Sequence, residues 1–133
     1  MVHLLTAREI DQKIVELVVW ARERYGIPEG CTGRDACAAL GLRLRVKPLP
    51  SQTDGLLTKD GVVVINEAIT WPSRGEFTIF HEAIHWLLDE DGELIELLAE
   101  TLGGNIAAYR GAIERCCHAG AAEFLAPDSG SGS

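Results

Sequence analysis

His81 and His85 stand four residues apart, and Glu82 follows the first of them directly. On a helix, side chains at that spacing share a face with Cβ atoms roughly 5–6 Å apart. Two imidazoles can then reach one ion at about 2.0–2.1 Å each. Glu82 points partly off that axis and is free to hydrogen-bond a water instead of ligating. This is the mechanical content of the H-E-x-x-H motif of zinc metallopeptidases. The plain alternative is a helix that carries two histidines and a glutamate by chance. A catalytic zinc takes three protein ligands and leaves a fourth position open, so a third ligand must come from elsewhere. Glu93, Glu96, Glu100, Glu114 and Glu123 all lie downstream. Glu93 and Glu96 need a sharp turn to come back, Glu100 and Glu114 are both within reach of a returning helix, and helix geometry alone does not choose.

The elements that must hold these residues are legible in the pattern. Thr6-x-x-Glu9 is a capping box, and Ile10, Ile14, Leu17, Val18 and Ala21 follow at helical spacing to Tyr25-Gly26. Arg34 to Leu40 reads as a short helix closed by Gly41. Leu42 to Val46 alternates apolar and charged as a half-buried strand does. Gly55 to Thr58 and Val62 to Asn66 are two further strands, with Asp60-Gly61 as the hairpin signal between them. Ser73-x-x-Glu76 reads as a second capping box. It starts a helix with Phe77, Phe80, Ile84 and Leu87 or Leu88 on one face, ending near Asp89 to Gly92. Glu93 to Leu102 is a further helix, broken by Gly103-Gly104. Ile106 to Leu125 is a long last one, open to interruption at Gly111 or Gly120 and ended by Pro127. The expectation is an α+β, zincin-like domain over residues 1–127. Its sheet has about three strands, antiparallel or mixed, packed on four to five helices, with the motif on a central one. Ser129 to Ser133 has a flexible-linker composition, so 128–133 is set aside as a tail.

Two blocks of the chain resemble the ImmA/IrrE family of metallopeptidases. Arg74 to His85 follows the pattern R-x-x-F-T-x-x-H-E-x-x-H, and Glu114 to Pro127 follows E-x-x-C/A-N-x-F-A-x-x-L-L-x-P. Ile27-Pro28 and Ala38 to Leu44 look like the family's N-terminal part, so the resemblance spans about residues 7 to 127. It implies that Glu114 is the third ligand beside His81 and His85. It also implies that the substrate is a helix-turn-helix transcriptional repressor, cut in a stress or mobile-element response. The chain departs from the pattern at Ile84, where Gly is common, at His118 in place of Asn, and at Gly120 in place of Phe. Asp89 stands where a histidine is often seen.

His118 lies one turn after Glu114. It can hydrogen-bond a ligand or the motif helix, as outer partners of zinc sites do. It can donate to an oxyanion, or it can be a half-exposed histidine with no role. Tyr109 is a further oxyanion-donor candidate. The mechanism expected is hydrolysis: zinc, or another divalent ion such as Mn²⁺, activates a water, and Glu82 relays its proton to the leaving amine. Val62 to Ile65 is expected along the cleft as an edge strand to which an extended substrate adds.

The totals bound the alternatives. The chain has 133 residues, 47% of them apolar, and a formal net charge of −8. That is a globular composition. So acidic a chain is a poor nucleic-acid binder, since that binding rests on neutralising phosphates. It suits a basic protein partner instead. No stretch reaches the ~20 apolar residues of a membrane span, and no secretion signal is evident, so a cytoplasmic protein with no membrane partner is expected. Cys31, Cys37, Cys116 and Cys117 are then reduced and read as small buried residues. The rival functions are a zincin-fold module that binds a regulator without cutting it, and a peptidase of broader specificity.

Overall fold

The computed structural model describes residues 5–126. The elements run α1 (Ala7–Tyr25), α2 (Gly33–Leu40), β1 (Arg43–Lys47), β2 (Gly55–Leu57), β3 (Val62–Asn66), α3 (Pro72–Asp91), α4 (Glu93–Leu102) and α5 (Ile106–Leu125). Among the described residues this is the α+β arrangement expected, with five helices and one three-stranded sheet. Pro127 and the Gly/Ser tail lie outside the described residues.

Helix α1 starts where its capping box places it. Thr6 Oγ1 accepts from the Glu9 amide at 3.2 Å, and the Glu9 carboxylate accepts from the Thr6 amide at 3.0 Å. Helix α3 corrects the second capping box. It begins at Pro72, with Trp71 as its N-cap and no side-chain cap. Proline's fixed φ suits the first helical position, so Ser73 falls inside the helix. Glu76 turns away and accepts the Gly33 amide at the start of α2, at 2.6 Å. A Cβ at Gly33 would sit 2.7 Å from that carboxylate, so the glycine lets α2 dock end-on against α3. Helix α5 runs unbroken through Gly111 and Gly120.

The sheet order is β1-β3-β2. β1 runs parallel to β3 with Leu44 opposite Val63, and β2 runs antiparallel with Leu56 opposite Val64. The expectation that Val62 to Ile65 forms an edge is therefore wrong: β3 is the central strand. Its unbroken apolar run, with Val63, Val64 and Ile65 all buried, is the signature of a strand covered on both sides. β1 is an edge instead. Val46 is 61% exposed, so only Leu44 contributes from the alternating face. The Arg45 and Lys47 charges blunt that edge against further pairing. The other edge is β2.

The core lies between α3, α5, α1 and the inner face of the sheet. Phe80, Ile84, Leu87 and Leu88 of α3 are almost fully buried, each contributing about 1.5–3 kcal/mol relative to an exposed position. Phe80 stacks on Phe124 of α5 with ring centroids 5.1 Å apart. This packing fixes the rotation of α3 and so decides which residues face outward beside β2.

Candidate metal centre

Thr78, His81, Glu82 and His85 recur at i, i+3, i+4 and i+7, so the helix that buries Phe80 and Ile84 presents them together on the side of β2. The two imidazoles have centroids 5.2 Å apart. Across from them, α5 presents Glu114, Cys117 and His118 on one face. The Glu114 carboxylate divides itself between the rings: Oε1 lies 3.2 Å from His81 Nε2, and Oε2 lies 2.9 Å from His85 Nε2. The side chains of His81 and His85 are 11% and 28% exposed, against 59% for Glu114. The imidazoles thus form the floor and the carboxylate stands at the mouth.

Among the described residues, His81, His85, Glu114 and Cys117 have ligand atoms all within 4.8 Å of one another. Nitrogen, carboxylate and sulfur donors converging in this way form a group that can hold a metal ion. The other downstream glutamates stay out of it. Glu96 and Glu100 are exposed on α4, Glu93 borders a hollow with Lys13 and Trp20, and Glu123 is buried further along α5.

Glu82 is buried and shares a cleft of about 310 Å³ with His81, Glu114, His118, Gly55 and the loop before it. Burial pushes its carboxyl above the usual range; the nearby His85 opposes this and the Glu114 charge adds to it. His81 is shifted down, chiefly by burial. His118 is exposed. Its ring meets Phe77 edge-on at 4.9 Å and His81 at 5.3 Å. Tyr109 lies on the opposite side, in a hollow of about 490 Å³ walled by Leu88, Ile95 and Ile113 and bounded by His85 and Glu114.

No protein-family model and no curated protein matches the chain. Three residues outside the donor cluster shape the cleft around it. Arg74 holds the loop before β2 through a forked pair with Asp54, its Nε 2.9 Å from Oδ2. Thr78 donates its hydroxyl to the Arg74 carbonyl at 2.8 Å. Its methyl would lie 2.7 Å from a Cβ at Gly55, so the glycine brings β2 against the motif helix. Asn66 shapes the same loop from within. Its Nδ2 donates to the carbonyls of Leu49, Pro50 and Thr53 at 3.2, 3.2 and 2.9 Å. The residue sequence reasoning missed is Cys117. The thiol is fully buried and not in a disulfide, as expected, but its sulfur belongs to the donor cluster. The available signal was its spacing, three residues after Glu114 on one helix face.

Proposed function

We propose that the chain is a zinc-dependent peptidase whose metal is held by His81, His85 and Glu114. One observation carries this reading. A single carboxylate from α5 spans both imidazoles of α3 at 3.2 and 2.9 Å, with the buried Glu82 lining the same cleft as His81 and Glu114. Two imidazoles and a carboxylate suit zinc among the common divalent ions. The bound ion would supply Lewis acidity toward a carbonyl oxygen and a water.

The chain's own residues do the rest. Glu82, one residue from the ligand His81, accepts a proton from the attacking water and returns it to the leaving amine. Its burial favours the protonated form between those two transfers. The free edge of β2 borders the cleft at Gly55, so an extended segment can pair there by adding a strand. That role passes from β3, where it was first expected, to β2. Arg74 and Asn66 keep this edge in register with the motif helix. Tyr109 and His118 flank Glu114 from opposite sides and are the nearest candidates to donate to a developing oxyanion.

The substrate class rests on the resemblance to ImmA/IrrE metallopeptidases: a helix-turn-helix repressor. The net charge of −8 favours a basic, DNA-binding partner of this kind. The test combines metal analysis with cleavage of such a repressor and of a panel of unstructured peptides. Glu82→Gln should retain one zinc per chain and lose cleavage by at least ~100-fold. Cleavage of the peptides as readily as the repressor would replace the assigned substrate with a broad one. A zinc-loaded parent that binds the repressor and cuts nothing would make the chain a binding module.

A further inference from the structure

Cys117 is placed where the three-ligand reading has no use for it. It sits on α5 one turn beyond Glu114, and its sulfur lies within 4.8 Å of the Glu114, His81 and His85 donor atoms. It is fully buried, while Glu114 is at the mouth. The thiol therefore approaches the group from the protein side and the carboxylate from the solvent side. Its neighbour Cys116 is equally buried but belongs to no such group.

Ligand atoms around a tetrahedral zinc, at about 2.0–2.1 Å for nitrogen and 2.3 Å for sulfur, lie roughly 3.3–3.8 Å apart. The present spread of up to 4.8 Å would close to that with side-chain movements of about an ångström. An ion held by two imidazoles and a carboxylate would offset the burial that raises the Cys117 thiol's pKa and let it ligate as thiolate.

We propose that Cys117 is a fourth protein ligand, so that the resting ion is held by His81, His85, Glu114 and Cys117 together. This rests on the metal-centre reading and adds a regulatory state to it. Four protein donors make a closed site, of the kind that stores a metal, whereas three leave the site open for chemistry. The resting chain is then latched from inside its own core, and one donor must withdraw before a substrate carbonyl can approach. A thiolate also favours zinc and cobalt over the harder manganese and magnesium ions.

The full chain loaded with zinc alone, and separately with cobalt alone, tests this without any substrate. X-ray absorption of the zinc form should show one sulfur neighbour at about 2.3 Å among nitrogen and oxygen neighbours nearer 2.0 Å. The cobalt form should show a thiolate-to-metal charge-transfer band in the near ultraviolet. Cys117→Ala should lose the band and the sulfur neighbour, keep the metal, and bind zinc at least ~10-fold more weakly. Cys116→Ala should keep all three features. Metal bound through nitrogen and oxygen alone in the parent chain would overturn the role of Cys117 and leave the three-ligand site standing. No binding of either metal would overturn both.

Discussion

Ile84 of α3 packs onto the bare backbone of Gly120 in α5: a Cβ on that glycine would lie 2.7 Å from two Ile84 side-chain carbons. These are two of the positions at which the chain departs from the pattern it resembles, one larger than usual and the other smaller. Across the α3–α5 interface they are one volume exchanged between partners. Both flank the site, since Ile84 precedes His85 and Gly120 lies one helical turn beyond Cys117.

Gly120→Phe should therefore destabilise the chain by about 2–3 kcal/mol or more through overpacking. Ile84→Gly should cost a similar amount through the cavity it opens and the glycine it adds to a helix. The double variant should recover part of the loss, with a coupling of about 1–3 kcal/mol. Denaturant unfolding of the four proteins measures this, and simple additivity would refute it.

The buried Glu82 makes a prediction about pH. In the metal-free chain its carboxyl titrates above its ordinary 4.5, chiefly because burial disfavours the charge. Between those two values the folded chain keeps a proton that the unfolded chain has released, so stability falls as pH rises. Glu82→Gln should abolish that slope. His81 acts in the opposite sense. Its pKa is lowered from 6.5 by burial, so the unfolded chain holds the extra proton and stability is lost as pH falls below 6.5. That limb should survive in Glu82→Gln. Urea midpoints of the chelator-treated proteins from about pH 4 to 8 check both signs; parallel curves for the two proteins would contradict the assignment to Glu82.

Asn66 should matter more to the cleft than its place at a strand end suggests. Its amide donates to three loop carbonyls, and its oxygen accepts from the Ala68 amide at 3.1 Å. Asn66→Asp keeps the shape but turns an acceptor toward those carbonyls. It should cost about 2 kcal/mol or more, exceeding Asn66→Ala. In both variants the amides of residues 52–57 should exchange faster with deuterium. An Asn66→Asp protein as stable as the parent, with unchanged exchange, would show that the loop holds itself.

The helices could be read from the sequence because their signals are local. The Thr6 cap, the glycines after Tyr25 and Leu40, and the 3.6-residue periodicity of Phe80, Ile84 and Leu87 are all set within a few residues. The errors arose where a distant partner intervened. Ser73-x-x-Glu76 has a capping-box spelling, but Pro72 starts the helix and Gly33, 43 residues away, takes the Glu76 carboxylate. The position of β3 depends on which strands flank it, although its unbroken apolar run already marks a strand covered on both sides. At the site, His81, Glu82 and His85 are bound together by one helical turn. Glu114 is one of five downstream glutamates that helix geometry does not separate, and only the resemblance singles it out; Cys117 has the ordinary identity of a buried thiol.

Glu114 separates two hollows of unlike character. Gln52, Thr53 and His118 line one side, and Leu88, Ile95 and Ile113 line the other together with Asp89 and Arg110. A polypeptide laid across the carboxylate would therefore find the cleft direction-sensitive. One orientation sets a greasy side chain against the isoleucines; the reverse strands it among amides and hydroxyls. On the proposed reading, this difference in wetting would bias which end of a segment enters first.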